Sequence, residues 1–222
     1  MNPARMALPP VCFPRARPAA PAAHIDASGL PRDTAVALAN ALPFLRCGEE
    51  SAVHAFGRRF ASGSAGAEQA VLDAISADEA RHAAWLEALA VALPAPDAMP
   101  DAGAMAMFFR RLLTRDQGLH FARVAALDLA VCMLLRPLVA RHSALAAAPQ
   151  VASGLRSIRH DEARHVRVAR GCAGRLGLSE TRQRELDRAM RSDLSALLAP
   201  VHASLSLLGI HGFGPAGPIH DA

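Results

Sequence analysis

The chain contains no lysine, no tyrosine and a single tryptophan, and aromatic residues make up only 4% of it. Without tyrosine there is no tyrosyl radical to serve as a catalytic device. Without lysine, arginine alone carries the formal net charge of +4. That balance reads as the signature of a GC-rich coding sequence. A basic surface also favours an acidic partner such as a carrier protein or RNA, although nucleic acid is not expected here. The four cysteines (Cys12, Cys47, Cys132 and Cys172) are scattered and form no CxxC pair. This argues against a structural zinc site or a four-thiolate iron centre, and suits a reducing cytoplasm. No apolar run reaches the roughly 20 residues that span a bilayer, and the N-terminus lacks the apolar core of a secretory signal. A cytoplasmic protein with no membrane partner is the expectation.

What is abundant is hydrophobic: 52% of the chain, much of it Ala and Leu, a mixture that favours helix over strand. The length suits one domain with tails and can bury a full core. Residues 1–33, rich in Pro, Ala and Arg, read as a disordered tail. A helix start falls at Pro31–Asp33, and a helical pattern runs to about Ala61, with Pro43 expected to set off a short lead-in helix. After a turn at Ser62–Gly66 comes a second helix, about Ala67–Leu93. Pro94–Gly103 and Asp116–Gly118 break the pattern around a short helix at Ala104–Arg115. A third main helix follows from Leu119 to His142, kinked near Pro137. A fourth spans about Ser153–Leu176, and a fifth, capped by Ser179, reaches Ala199. Residues 34–200 therefore form the expected domain, and 201–222 a Gly/Pro-rich C-terminal tail. Four main helices with a long crossover between the second and third match a ferritin-like four-helix bundle, with an additional C-terminal helix.

The word DEARH occurs twice, at Asp78–His82 and Asp161–His165. Glu79 and His82 are three residues apart and share a helix face, the face that also carries Ile75, Leu86 and Leu89. Glu162 and His165 likewise continue the face of Leu155 and Ile158. Both copies therefore point into the core. A carboxylate and an imidazole buried among Leu and Ile are costly unless paired, and the economical partner for two such pairs is a pair of metal ions. Glu-x-x-His on two helices plus one carboxylate from each of the other two is a known di-metal arrangement.

That arrangement requires two further acids. Asp128 is the sole acid in ARVAALDLAVCMLL, with Val124 and Val131 on its face. The first helix offers Glu49 and Glu50. Glu49 shares the face of Leu45, Phe56 and Phe60, whereas Glu50 turns toward Arg46 and His54, so Glu49 is preferred and Glu50 is the alternative. Four carboxylates balance two divalent ions, and oxygen and imidazole donors without thiolate suit iron or manganese.

Paired DExRH motifs resemble those of the di-iron carboxylate oxygenases: bacterial multicomponent hydrocarbon monooxygenases, soluble acyl-carrier-protein desaturases and arylamine N-oxygenases. The resemblance covers about Thr34–Leu176. It implies two Fe ions, with Mn/Fe as a variant, held by Glu49, Glu79, His82, Asp128, Glu162 and His165. It further implies that Asp78 orients His165 and Asp161 orients His82, while Arg81 and Arg164 pair with neighbouring acids. The chain departs from the family pattern in having Asp128, one methylene short of the usual Glu. It also has Ile158 where arylamine N-oxygenases carry an extra His, and His160 faces away. The implied activity is O2-dependent oxidation of a small or carrier-protein-bound substrate, with an electron donor; enough apolar helix surface is present for a homodimer.

His54 and His120 read as core-edge or surface residues, and Trp85 and Phe108–Phe109 as packing. Met105 and Met107 could line a channel, though filling core gaps is the commoner use of methionine. Two other functions compete with the oxygenase. A ferroxidase would want an acidic iron path and a large oligomer. A metal-free helical binding module would have no need of the complete ligand set.

Overall fold

The computed structural model describes residues 25–56 and 66–213. Phe60, most of the expected turn at Ser62–Gly66 and the outer parts of both expected tails lie outside these residues. Among the described residues there is no strand. The helices are α1 (Arg32–Phe56), α2 (Gly66–Val91), α3 (Ala102–Leu112), α4 (Gln117–Leu138), α5 (Pro149–Arg175), α6 (Glu180–Leu197) and the short α7 (His202–Leu207).

Local chemistry sets several of the ends. Asp101 caps α3 by accepting from the backbone N–H of Gly103 and Ala104, Asp116 caps α4 through Leu119 N–H, and Ser179 caps α6 through Arg182 N–H. Each satisfies donors that a helix start leaves open. Pro149 opens α5, where its missing N–H is no loss, so this helix begins earlier than the expected Ser153. Gly177 turns the chain after α5 with φ +88°, a left-handed conformation that glycine adopts without strain.

Two proline expectations are corrected. Pro43 sits inside an unbroken α1 rather than dividing off a lead-in helix. It forfeits one backbone hydrogen bond, but its buried neighbours Leu42 and Phe44 hold the axis against the core. Pro137 does not kink a longer helix. α4 ends one residue later, and the N–H of Val139 returns to the Leu135 carbonyl.

The long helices pair as α1 with α2 and α4 with α5, and α2 packs on α5 across the middle. On α2, Leu72, Ile75, Glu79, His82, Leu86 and Leu89 form a single buried stripe. On α5 the corresponding stripe is Val151, Leu155, Ile158, Glu162, His165, Ala169 and Cys172. α4 has the length and apolar composition of a membrane-crossing helix, contrary to the expectation that no segment would. Here most of it is buried between α5 and α6, and it carries Asp128 into the core.

The crossover is not bare loop. It carries α3, which packs on α1 and α4, and Asp97 N–H bonds to the Asn40 side chain at 2.6 Å. Residues 25–31, expected to belong to the tail, lie against the bundle. Ile25 and Ala27 are buried, and Asp26 N–H donates to Gln150 Oε1 at 2.9 Å. At the other end α7 packs on α1, burying Leu205, Leu208, Ile210 and Phe213. Such burial of apolar side chains, each stabilising by about 1.5–3 kcal/mol, holds ordered structure beyond both expected domain limits.

Candidate metal centre

Helical spacing delivers Glu79 and His82 from α2, and Glu162 and His165 from α5, to the plane where those helices cross. α1 adds Glu49 and α4 adds Asp128 from opposite sides. All six are buried, Glu49 at 7% exposure and the others between 2% and 4%.

Glu79 and Glu162 each reach both histidines. Glu79 Oε2 lies 3.4 Å from His82 Nδ1, and its Oε1 lies 3.3 Å from His165 Nδ1. Glu162 Oε1 is 3.2 Å from His82 Nδ1 and Oε2 is 3.9 Å from His165 Nδ1. Glu49 approaches only His82, at 3.4 Å, and Asp128 only His165, at 3.9 Å. The shorter aspartate thus stands further off than its counterpart. Two four-residue sets result, Glu49, Glu79, His82 and Glu162 against Glu79, Asp128, Glu162 and His165, sharing the two central glutamates. Within each set the ligand atoms lie within 4.8 Å of one another.

Glu50 is not in either set. It turns to Arg46, 3.5 Å away and also buried. Neighbouring positions on a helix are rotated by about 100°, so one faces the cluster and the other faces the ion pair.

These buried carboxylates and imidazoles could hold a metal ion. His82 Nδ1, His165 Nδ1, Glu79 Oε1, Glu162 Oε1 and Asp128 Oδ2 are buried and make no hydrogen bond. Three carboxylate oxygens surround His82 Nδ1 at 3.2–3.4 Å. Such spacing is long for hydrogen bonds but close to the ligand-to-ligand edge, about 3.0–3.4 Å, of a polyhedron with metal bonds near 2.1 Å. The donors are all oxygen or imidazole, and four carboxylates can neutralise two divalent ions.

On the outer side the histidines are held crosswise. His165 Nε2–H donates to Asp78 Oδ2 at 2.9 Å, and His82 Nε2–H to Asp161 Oδ2 at 3.3 Å. Each aspartate thus steadies the imidazole of the other DEARH copy and keeps its Nδ1 facing inward. Arg164 bridges the two aspartates, contacting Asp78 and lying 3.1 Å from Asp161. Arg81 does the same from the other helix, pairing with Asp78 and reaching Asp161 at 3.4 Å.

Without metal the cluster is electrostatically frustrated. Burial, then the charges of Glu162, Glu79 and Glu49, pushes the Asp128 carboxyl well above its usual range. Burial and Glu79 do the same to Glu49, against an opposing pull from His82. Burial also raises Glu162, although His82 opposes it. For His82, burial alone favours the neutral ring, yet contacts with Glu162, Glu49 and Glu79 outweigh it and drive its pKa strongly upward. His165 is raised in the same way, chiefly by Glu79. Asp78 goes the other way: burial would raise it, but the hydrogen bond from His165 and the arginine charges hold it below the ordinary carboxylate value.

The opposite, carboxylate side opens on an apolar chamber of about 50 Å³. α1 contributes Phe44, Leu45, Gly48 and Ala52, α4 contributes Leu127, Val131 and Leu134, and α3 contributes Met105 and Phe109. Leu194, Leu197 and Leu198, from α6 and the residue after it, close the wall. The role of α6 was not foreseen. Its only signal is a leucine triplet at helical spacing within an otherwise charged segment. Of the two methionines weighed, Met105 lines the chamber and Met107 is exposed. His54 and His160 are exposed, while His120 is fully buried with its ring edge-on to Phe56 at 6.4 Å. Trp85 packs across Gly154, where an added methyl would fall 1.9 Å from the indole.

Comparison of the chain with protein-family models, curated proteins and solved structures returned no match.

Proposed function

We propose that this chain is a ferritin-like di-iron protein that activates O2 to oxidise a small or carrier-bound substrate by hydroxylation, desaturation or N-oxygenation. The observation that carries the reading is the two-sided site: two ligand sets sharing two glutamates, with aspartates and arginines holding the histidines on one side and an apolar chamber against the carboxylates on the other.

Iron bound there would supply the electrons that reduce dioxygen. The chain's own contribution is positional. Asp78 and Asp161 hold the Nε2 protons of His165 and His82, leaving both Nδ1 atoms free to ligate. Glu79 and Glu162, shared by both ligand sets, would hold iron together with Glu49 and His82 in one set and with Asp128 and His165 in the other. The apolar walls exclude water from the side where substrate would approach, which keeps a reactive oxidant from being quenched by solvent.

The same walls count against iron itself as the substrate. Among the described residues, the chamber is lined by no acid apart from the cluster's carboxylates, and so offers no further acidic step by which a hydrated cation could enter. A reductant must deliver electrons from outside the bundle, and the docking partner remains part of the proposal.

The deciding experiment measures metal content and optical spectrum of chain purified from iron-supplemented cells, beside a Glu79→Gln, Glu162→Gln variant. Two irons per chain, with an absorption band that bleaches on reduction and returns with O2, is the expected result. The band should be missing from the variant. A chain that takes up neither iron nor manganese would overturn the reading.

A further inference from the structure

Gly48 stands in the middle of the face that α1 turns to the chamber, between Phe44 and Leu45 on one side and Ala52 on the other. Glycine is a poor choice inside a helix, and close packing does not explain it here. Among the described residues, a methyl group built at Gly48 would meet nothing within 4 Å. Gly154 is the contrast, since the Trp85 ring already fills the space its side chain would need. The space beside Gly48 is part of the chamber. Among the described residues, Gly48 is half-buried, as are Leu45, Val131, Leu194 and Leu197 of the lining, and we place the mouth of the chamber at these residues.

Size and chemistry then restrict what can enter. The chamber holds about 50 Å³, against roughly 150 Å³ for an apolar cavity that accommodates benzene. Among the described residues, its walls offer no hydrogen-bond donor or charge other than the cluster carboxylates, so a polar group inside would be stranded at a cost. A whole ring is too large for this volume and a polar head is unwelcome. A slender hydrocarbon segment satisfies both limits, with the remainder of its molecule outside the mouth.

We propose that the chamber binds the end of an unbranched alkyl chain, and that Gly48 sets its bore as a specificity-determining residue. That the bound chain is then oxidised rests on the oxygenase reading above; the binding itself does not.

The test is isothermal titration of the full chain, as purified from iron-supplemented cells, with 1-hexanol and cyclohexanol, which share a hydroxyl and a carbon count and differ in width. The wild-type chain should prefer 1-hexanol by about tenfold or more. Gly48→Leu, which fills the mouth, should weaken 1-hexanol by about tenfold while metal content stays at the wild-type value. Phe109→Ala, which widens the inner end, should bring cyclohexanol to within about threefold of 1-hexanol. Equal affinities in the wild type, or unchanged 1-hexanol binding in Gly48→Leu, would overturn the proposal. Should Gly48→Leu fail to fold or to hold metal, Phe109→Ala decides, and an unaltered preference there overturns it. The two readings fail separately. A chain that binds no iron yet prefers 1-hexanol keeps the chamber and loses the oxygenase, whereas a two-iron chain indifferent to both alcohols does the reverse.

Discussion

Asp78 Oδ2 lies 2.9 Å from Nε2 of His165, a residue of the other DEARH copy on a different helix. The reciprocal contact, Asp161 to His82, is longer at 3.3 Å. If these bonds orient the imidazoles for metal, Asp78→Asn should lower metal affinity by about 10–100-fold, and Asp161→Asn by less. Competition against a chelator of known affinity measures both. Equal metal retention in Asp78→Asn and wild type would remove the orienting role.

Glu49 and Glu50 give opposite outcomes under one chemical change. Glu49→Gln removes a member of one ligand set and should cut the metal stoichiometry. Glu50→Gln discharges the buried partner of Arg46. It should leave metal content alone and lower stability by about 3 kcal/mol, as expected when half of a buried pair is lost. Metal analysis together with urea denaturation of both variants separates these effects.

The metal-free chain should be more stable in mild acid than at neutral pH. Glu49, Asp128 and Glu162 have folded pKa values raised above their ordinary 4.5, 3.8 and 4.5. The folded state therefore holds more protons than the unfolded one above those values, and stability falls as pH rises. His82 and His165 are raised above 6.5. Their contribution is complete below 6.5 and declines as pH climbs past it, so the sign is the same. Asp78, lowered from 3.8, contributes above that value and is lost as pH falls through its folded pKa. Thermal melts of the chelated chain from pH 4 to 8 should therefore be highest at the acid end of that range and decline toward 8. Metal should reverse the slope, because ligation requires the deprotonated groups. A metal-free melting temperature that rises from pH 5.5 to 8 would contradict the frustrated cluster.

Gly154 should tolerate no side chain while Trp85 stays in place, since an added methyl would fall 1.9 Å from the ring. Gly154→Ala should cost about 1–3 kcal/mol from overpacking. Trp85→Leu in the same chain should recover part of that loss, because the clash disappears with the ring. A double-mutant cycle by chemical denaturation measures the coupling; additive effects would show that the two residues do not share the space.

Much of this architecture was legible because helices are local objects. Periodicity placed both DEARH copies on core-facing stripes, marked Asp128 as an acid with no reason to be on the surface, and located Ser179 as a cap. It also favoured Glu49 over Glu50, since a rotation of about 100° per residue separates a core face from its neighbour. Proline was misleading, because the roughly 3 kcal/mol that it costs inside a helix is a local penalty that packing around Pro43 offsets. The ordered segments at Ile25–Ala27 and α7 were also missed, as their burial depends on the surface that α1 and the rest of the bundle provide.

Spacing along a helix determines which side chains share a face, and the sequence by itself determined that Glu79, His82, Glu162 and His165 look inward. How far apart the facing helices stand depends on the packing of every other side chain between them. Only the tertiary structure could therefore decide that Glu79 and Glu162 each reach both imidazoles and that Asp128 stands further off than Glu49. It alone could bring leucines from α6, distant in the chain, to a space that Gly48 leaves unfilled.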